Sequence, residues 1–290
     1  MAAPRKREMN LNLLCKAALH EKEIRIPMDD GVRLEARVAN VKRGLHAVVL
    51  CPALPPAGNM YIPEVGVLQA RLMLQGYCTV RFNFRGVGAS EGNKYMRSTQ
   101  RECDDVRQVA RWLKAQRSKA KLPALKSIWV VGVSYGSVIG AAAAGSSVEF
   151  DGYVAVAYPV AYLWYCTGFD SAKFLCMAKC SKPKLFVWGK TDVFSGDAAM
   201  QKCFSEMPEP KEKVVLEALD DLLGHYFRSK ANLDALSEAC LAFFAKNLKP
   251  EPEPQEAPLA QSPSSDSALL EQAPSPAAER PKKKKLFGFF

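Results

Sequence analysis

A serine between two glycines is the residue of this sequence best placed to do chemistry. Residues 132–136 are Gly-Val-Ser-Tyr-Gly, with Ser134 at the centre. An apolar, strand-like stretch (residues 128–131) precedes them, and a small-residue, helix-forming stretch (residues 138–144) follows. This order of strand, Gly-x-Ser-x-Gly and helix is typical of a nucleophile elbow. In so tight a turn a Cβ at either glycine would collide with its neighbours, so the pattern predicts Ser134 as a nucleophile that is lifted clear of the sheet.

A serine hydroxyl needs a neighbouring base to become a nucleophile at neutral pH. The chain has three histidines, at positions 20, 46 and 225. His20 precedes the first predicted strand and His46 begins a strand, whereas His225 follows the last predicted strand. Because the carboxyl ends of parallel strands meet at one edge of a sheet, His225 can reach Ser134 there. By elimination and by position, His225 is the predicted base.

The base needs a carboxylate to orient it, and the expected chain order is Ser, then Asp, then His. Asp192 fits because it follows the predicted strand at residues 184–188. Four other aspartates are less well placed: Asp170, Asp197, Asp220 and Asp221. Asp197 is the nearest rival, but it precedes Ala-Ala-Met and is expected to cap the next helix. Asp192 is therefore the predicted orienting carboxylate.

Acyl transfer also needs two N–H donors for the oxyanion that forms on the substrate. One is expected from Tyr135, the residue after the serine, at the positive end of the following helix. The other is expected from the loop after the strand at residues 46–51. Pro55 and Pro56 have no N–H to donate. Ala53 is therefore the first choice and Leu54 the second.

Alternating strands and helices are predicted to position these residues. Residues 23–28 and 32–38 alternate polar and apolar side chains around Asp-Asp-Gly, which predicts a β-hairpin. The later predicted elements are strand 46–51, helix 62–74, strand 77–84, a helix buried through Val106, Val109, Ala110 and Leu113, strand 152–160, strand 184–188, strand 214–219 and a helix through Leu233, Leu236, Cys240 and Phe243. This alternation favours an α/β fold with a mainly parallel sheet covered by helices on both faces. Residues 161–182 leave room only for a minimal, partly helical lid.

Composition divides the chain into three predicted parts. Residues 1–21 are an N-terminal extension, and residues 22–248 are the α/β domain. Residues 249–290 form a proline-rich tail, which is expected to be disordered because it cannot bury enough apolar surface. The tail ends in four lysines and three phenylalanines between Lys282 and Phe290. Such a segment is suited to weak contact with an anionic membrane or a protein partner.

Charge and hydropathy argue against several functional classes. The net charge is +10, but the basic residues are scattered and none of the usual nucleic-acid-binding motifs occurs, so no nucleic-acid partner is expected. No apolar run is long enough to span a membrane, and the first residues lack a secretory signal core. Nine cysteines without a Cys-x-x-Cys pair are expected to be reduced thiols. We therefore expect a cytoplasmic protein without a metal or cofactor, with a mitochondrial presequence as the alternative.

The segment Arg-Phe-Asn-Phe-Arg-Gly-Val-Gly-Ala-Ser-Glu-Gly at residues 81–92 carries a family resemblance. Together with Ser134, Asp192 and Gly224-His225, it resembles the α/β-hydrolase superfamily. Within that superfamily it is similar to small bacterial-type serine hydrolases with an Asn-Phe-Arg-Gly-Val-Gly-x-Ser-x-Gly segment. The resemblance extends over about residues 22–248. It implies a sheet of roughly eight strands and a Ser-Asp-His triad.

The sequence departs from this narrower group in one loop. Members often carry histidines after the third strand, where this chain has Cys51 and Ala53. Substrate positioning or oxyanion geometry in the loop from Cys51 to Pro56 is therefore expected to differ. Arg85 is expected to anchor its glycine-rich loop by hydrogen bonds, with direct contact to substrate as the alternative.

Two hypotheses of function follow. The first is a serine hydrolase that cleaves an ester, thioester or related acyl bond of a small-molecule substrate through an acyl-enzyme, with a carboxylic ester as the preferred substrate class. The second is a non-catalytic binding or scaffold protein of the same fold that is recruited through its C-terminal tail. The complete set of triad residues favours the enzyme.

Overall fold

The structure is a computed structural model that describes residues 20–53, 58–93, 99–217 and 224–248; for Phe169 it describes only the backbone. The predicted domain at residues 22–248 is thus covered apart from three gaps. The N-terminal extension lies outside the described residues except for His20 and Glu21, and so does the tail. Within the described ranges, no helix is both long and apolar enough to cross a membrane.

A β-hairpin opens the domain, as the sequence predicted. Strand β1 (Lys22–Pro27) pairs antiparallel with β2 (Arg33–Ala39). The turn between them is closed by hydrogen bonds from Met28 N–H to Val32 O and from Gly31 N–H to Met28 O. Gly31 has φ +84°, a conformation that favours glycine. The Asp-Gly pair thus fixes the register of the hairpin.

The central sheet has eight strands in the order β1-β2-β4-β3-β5-β6-β7-β8. All pairs from β4 to β8 are parallel, and the first two strands are antiparallel to their neighbours. The remaining strands are β3 (His46–Cys51), β4 (Cys78–Phe82), β5 (Ser127–Val133), β6 (Gly152–Val156), β7 (Lys184–Gly189) and β8 (Lys211–Leu216). The prediction of a mainly parallel sheet of about eight strands is confirmed.

Helices cover both faces of this sheet. They are α1 (Pro63–Leu74), α2 (Thr99–Lys119), α3 (Tyr135–Gly145), α4 (Leu163–Thr167), α5 (Ser171–Ala178), α6 (Asp197–Ser205) and α7 (Lys230–Asn247). Buried side chains of α1 and α7 form one core cluster, and those of α2, α3, α5 and α6 form another. Strand β5 contributes to both, because Ile128 and Val130 face one cluster while Trp129 and Val131 face the other. The chain therefore has the α/β-hydrolase fold.

Three predicted strands have a boundary that differs from the observed one by two residues or more. Strand β4 ends at Phe82 rather than residue 84, because the chain turns there into the glycine-rich loop. Strand β6 ends at Val156 rather than residue 160, since Ala157 adopts φ +50° and Pro159 follows. Strand β8 begins three residues earlier than predicted, at Lys211. It lies at the end of the sheet, where polar residues are tolerated and the apolar pattern is weak.

The predicted lid segment forms a short helical cap. It contains α4 and α5, with single 3₁₀ turns at Val160–Tyr162 and Gly168–Asp170. Phe174 and Ala178 of α5 are buried in the core, whereas Trp164 is 61% exposed. The cap is thus anchored by α5 and presents aromatic side chains on its outer surface.

Candidate active site

Ser134 lies at the turn between β5 and α3. Its φ and ψ are +53° and −123°, a strained conformation for a residue with a side chain. The backbone is held from both sides: Ser134 N–H donates to Val156 O at 2.8 Å, and Ser137 N–H donates to Ser134 O at 2.9 Å. The Ser137 hydroxyl also donates to Ser134 O. These bonds hold the strained turn that the Gly-x-Ser-x-Gly pattern predicted.

The two flanking glycines are required by close approach of the backbone. A Cβ on Gly132 would overlap the carbonyl of Gly136 and the Cα of Ser137. A Cβ on Gly136 would overlap the carbonyls of Cys51 and Pro52 at the end of β3. The predicted collisions with the helix and the neighbouring strand are therefore present, and they bring the loop after β3 directly against the elbow.

Ser134, His225 and Asp192 form one hydrogen-bonded chain. The Ser134 hydroxyl lies 2.8 Å from His225 Nε2, and His225 Nδ1 lies 2.9 Å from both carboxylate oxygens of Asp192. A carboxylate can only accept, so Nδ1 carries the proton and Nε2 accepts from the serine hydroxyl. All three residues are at least nine-tenths buried. The structure thus brings together the three residues that the sequence selected from separate loops.

Asp192 is held by donors from its own loop. It follows β7 by three residues, and its Oδ1 accepts from Phe194 N–H at 2.9 Å and Ser195 N–H at 3.1 Å. The Ser195 hydroxyl donates to Oδ2. Hydrogen bonds to a carboxylate stabilise its charged form and fix its orientation. Asp192 is therefore held in one orientation toward the histidine.

The expectation for Asp197 was wrong in detail. It is the first residue of α6, not its cap, and Gly196 occupies the capping position. Its carboxylate accepts from the Trp188 indole N–H at 2.8 Å. The Asp197 carboxylate is thus bonded to Trp188, whereas Asp192 is the carboxylate that contacts His225 Nδ1.

The His225 loop approaches the Asp192 loop closely through a glycine. Gly224 has φ +61°, and a Cβ there would lie 2.6 Å from Thr191 O. The imidazole is packed between Phe194 and Tyr226, whose ring centroids lie 4.8 and 5.0 Å from its own. These two contacts restrict the orientation of the imidazole.

Two of the three predicted oxyanion donors, Tyr135 and Ala53, lie within the described residues. Tyr135 N–H is the first of α3, and the first N–H groups of a helix have no acceptor within it. Ala53 is fully buried two residues after β3, in the loop whose carbonyls meet Gly136. Leu54 lies outside the described residues. Burial raises the pKa of Cys51 well above its usual value, so this thiol is neutral.

The glycine-rich segment at residues 83–92 is anchored by buried polar bonds. Arg85 Nε and Nη2 donate to the two oxygens of Asp105, each at 2.6 Å, and Nη1 donates to Asp30 at 2.5 Å. Asn83 donates to Glu35 at 2.7 Å and accepts from Met60 N–H at 2.7 Å. Arg85 therefore anchors this segment by hydrogen bonds, as expected, to the fully buried Asp105 and to the partly exposed Asp30.

Three residues around the triad were missed by the sequence reasoning. Ser195 and Phe194 lie in the Asp192 loop, and their proximity to that residue was the available signal. Glu64, in the first turn of α1, accepts from Phe227 N–H in the histidine loop at 2.9 Å. An acid at the start of a helix usually interacts with the helix dipole at the surface, so nothing in the pattern predicted its burial.

The cysteines give no indication of a metal centre. The eight cysteines in the described ranges are free thiols. Over the same residues, no group of three or more histidine, cysteine or acidic side chains is arranged to hold a metal ion.

Comparisons with known proteins agree with this fold. Residues 46–161 match a family model described as the alpha/beta hydrolase fold. The chain is similar to an esterase from Pyrococcus furiosus, at 17% identity and a TM-score of 0.65 over 84% of this chain and 96% of that one. No curated protein matches the chain in sequence.

Two bacterial structures are similar over comparable lengths. One is an α/β serine hydrolase without a lid from Xanthomonas campestris, at 22% identity and a TM-score of 0.62, covering 80% of this chain and 97% of that one. The other is an α/β serine hydrolase homologue from Coxiella burnetii, at 26% identity and a TM-score of 0.61, covering 79% and 97%. By fold and by these similarities, the chain resembles the α/β hydrolases.

Proposed function

We propose that the protein is a serine hydrolase that cleaves an ester, thioester or related acyl bond through an acyl-enzyme. The observation that carries this proposal is the continuous hydrogen-bonded chain from Ser134 through His225 to Asp192. A carboxylate, an imidazole and a hydroxyl in this order can generate a nucleophile at neutral pH. Within the proposal, a carboxylic ester is the first substrate class to test.

In the proposed mechanism, Ser134 Oγ attacks the substrate carbonyl while His225 Nε2 takes its proton. Asp192 keeps the Nδ1 proton in place and stabilises the imidazolium that forms. The imidazolium then returns the proton to the leaving group, which departs and leaves the acyl group on Ser134. In the second half of the reaction, water attacks the acyl carbonyl while His225 takes a proton from it, and the imidazolium then protonates Ser134 Oγ, which departs as the acid is released.

The oxyanion is assigned to the N–H groups of Tyr135 and of Ala53, with Leu54 as the alternative to Ala53. Support comes from the position of Tyr135 at the start of α3 and from the contact of the Cys51 and Pro52 carbonyls with Gly136. Such donors act on charge that develops in the transition state and account for much of the rate of acyl transfer.

The proposal is tested with a panel of acyl esters and thioesters of increasing chain length. Wild-type protein is expected to hydrolyse at least one class, and Ser134→Ala is expected to lower kcat by at least about 10⁴-fold. Ser237→Ala is the matched control, because Ser237 is also a buried serine but donates to a helix carbonyl, Leu233 O, in α7. The control should keep wild-type kcat.

Two results would count against catalysis. One is a folded wild type that hydrolyses none of the panel. The other is Ser134→Ala with undiminished hydrolysis. The first result would favour the scaffold hypothesis, in which deletion of residues 249–290 abolishes function and Ser134→Ala has no effect.

A further inference from the structure

Glu64 is a buried acid beside the proposed base that the mechanism above does not use. It is the second residue of α1, follows Pro63, and is 0% exposed. Glutamate is rarely buried completely unless it is paired with a cation or a set of donors. The complete burial of Glu64 therefore implies a specific interaction with its surroundings.

The two carboxyl oxygens of Glu64 differ in their hydrogen bonding. Oε1 accepts from Phe227 N–H at 2.9 Å. Oε2 has no hydrogen-bond partner among the described residues. Burial raises the pKa of Glu64, while hydrogen bonds from its own N–H and from Phe227 N–H and the charge of Arg228 act in the opposite direction. A half-satisfied buried carboxyl is an unfavourable way to gain stability.

Glu64 contacts the loop that carries the base. Residues 224–229 contain neither helix nor strand, so their position depends on contacts with other elements. Phe227 lies two residues after His225, and its side chain is fully buried in the core between α1 and α7. The Phe227 side chain and the Glu64 carboxyl therefore fix the same residue of the loop from two directions.

We propose that Glu64 is a positioning residue for the general base: by accepting from Phe227 N–H, it holds the loop so that His225 reaches Ser134 and Asp192 simultaneously. This inference rests on the proposed function. Catalysis is sensitive to the placement of reacting groups, and a displacement of about 1 Å can cost roughly 100-fold in rate. The loop backbone is tied to the first turn of a rigid helix, which restricts such displacement.

The test compares two substitutions that separate the acceptor from the charge. Glu64→Gln keeps the volume and an acceptor oxygen, whereas Glu64→Leu removes the acceptor. Glu64→Leu is expected to lower kcat by about 10- to 100-fold with KM within about twofold of wild type. Glu64→Gln is expected to stay within about threefold of wild-type kcat.

The matched control is Gln69→Leu on the same helix. Gln69 is also 0% exposed and donates to the Thr79 hydroxyl at 3.2 Å. This control should lower the melting temperature as Glu64→Leu does, yet leave kcat unchanged. If Glu64→Leu does not fold, Glu64→Asp replaces it, because the shorter side chain withdraws the acceptor while keeping the carboxyl group.

A second readout does not depend on turnover. The His225 Nδ1 proton, bonded to Asp192, should give a downfield proton NMR signal in wild type and Glu64→Gln, and a weakened one in Glu64→Leu. Wild-type kcat and signal in Glu64→Leu would overturn the proposal, as would an equal loss of kcat in Glu64→Gln. If wild type shows the signal but no hydrolysis, the proposed function fails, and the signal alone decides the role of Glu64.

Discussion

Two buried polar regions lie in this domain, and they are built in opposite ways. In the segment at residues 83–92, Arg85 and its partner Asp105 direct their bonds into the protein. Around Ser134, a strained backbone holds a hydroxyl whose hydrogen bond leads to a base rather than to the scaffold. The first region gives rigidity, and the second is the one to which we assign reactivity. The segment that is most distinctive in sequence is thus not the one proposed to carry the chemistry.

The largest effect is expected from a change that breaks only the reactive region. Asp192→Asn keeps the size of the side chain but favours the wrong tautomer of His225, so kcat should fall by about 10⁴-fold. The unfolding free energy should fall by no more than about 2 kcal/mol, because the donors from Phe194 and Ser195 keep an acceptor oxygen. Steady-state kinetics and urea unfolding measure the two quantities.

Asp197→Asn is the matched control for this prediction. Asp197 lies in the same connection between β7 and α6 but accepts from Trp188. Its substitution should leave kcat within about threefold of wild type. A larger loss of kcat in Asp197→Asn than in Asp192→Asn would reverse the assignment of the orienting carboxylate.

The next effect is expected from breaking the rigid region. Arg85→Met removes the cation that pairs with the fully buried Asp105, and loss of one partner of a buried pair costs about 3–5 kcal/mol of unfolding free energy. The kcat of the molecules that remain folded should change little, since Arg85 does not touch the triad. Denaturant unfolding and active-site titration separate stability from turnover.

A double variant sharpens this result. Arg85→Met with Asp105→Leu removes both charges and should recover part of the lost stability, because no uncompensated charge is left in the core. If Arg85→Met instead lowered kcat by 100-fold or more without loss of stability, Arg85 would contact substrate, which is the alternative that the sequence left open.

A smaller, pH-dependent effect is expected at Glu35. Burial opposes ionisation, but hydrogen bonds from Ala89 N–H, Asn83 and Tyr61 outweigh it and lower the pKa of Glu35 below its usual 4.5. The ionised side chain therefore stabilises the fold above about pH 4.5, and this contribution is lost as the pH falls through the lowered pKa. Glu35→Gln should cost about 1–3 kcal/mol at pH 7 and less at pH 3.5.

Urea unfolding at the two pH values measures this difference. Glu91→Gln is the control: Glu91 pairs with Arg33 at 3.0 Å, both side chains are well exposed, and its loss should cost less than about 1 kcal/mol at pH 7. A cost at Glu35 that grows as the pH falls would contradict the assignment of a stabilising ionised carboxylate.

Much of the fold and the triad could be predicted because the sequence signals were local. Alternation predicted the hairpin, apolar runs predicted the buried strands, and two glycines predicted the elbow. The order of Ser134, Asp192 and His225 after successive strands was sufficient to select them, since parallel strands end at one edge.

The parts that escaped prediction depend on contacts between distant residues. Glu64 and Phe227 are 163 positions apart, and no local pattern links them. The bond between Asp197 and Trp188 joins a helix start to a strand, so the capping rule alone gave the wrong partner. At β8 the apolar pattern is weak because an end strand tolerates lysines on its exposed face.

The most direct test of Ser134 as the nucleophile is covalent labelling with a fluorophosphonate. Peptide mass spectrometry then locates the labelled residue. Such probes phosphonylate a serine only when a neighbouring base activates it. We expect a single adduct on the peptide containing Ser134 in wild type, and no adduct in Ser134→Ala. Folded wild type that remains unlabelled, or label that persists at the same rate in Ser134→Ala, would contradict this assignment of the nucleophile.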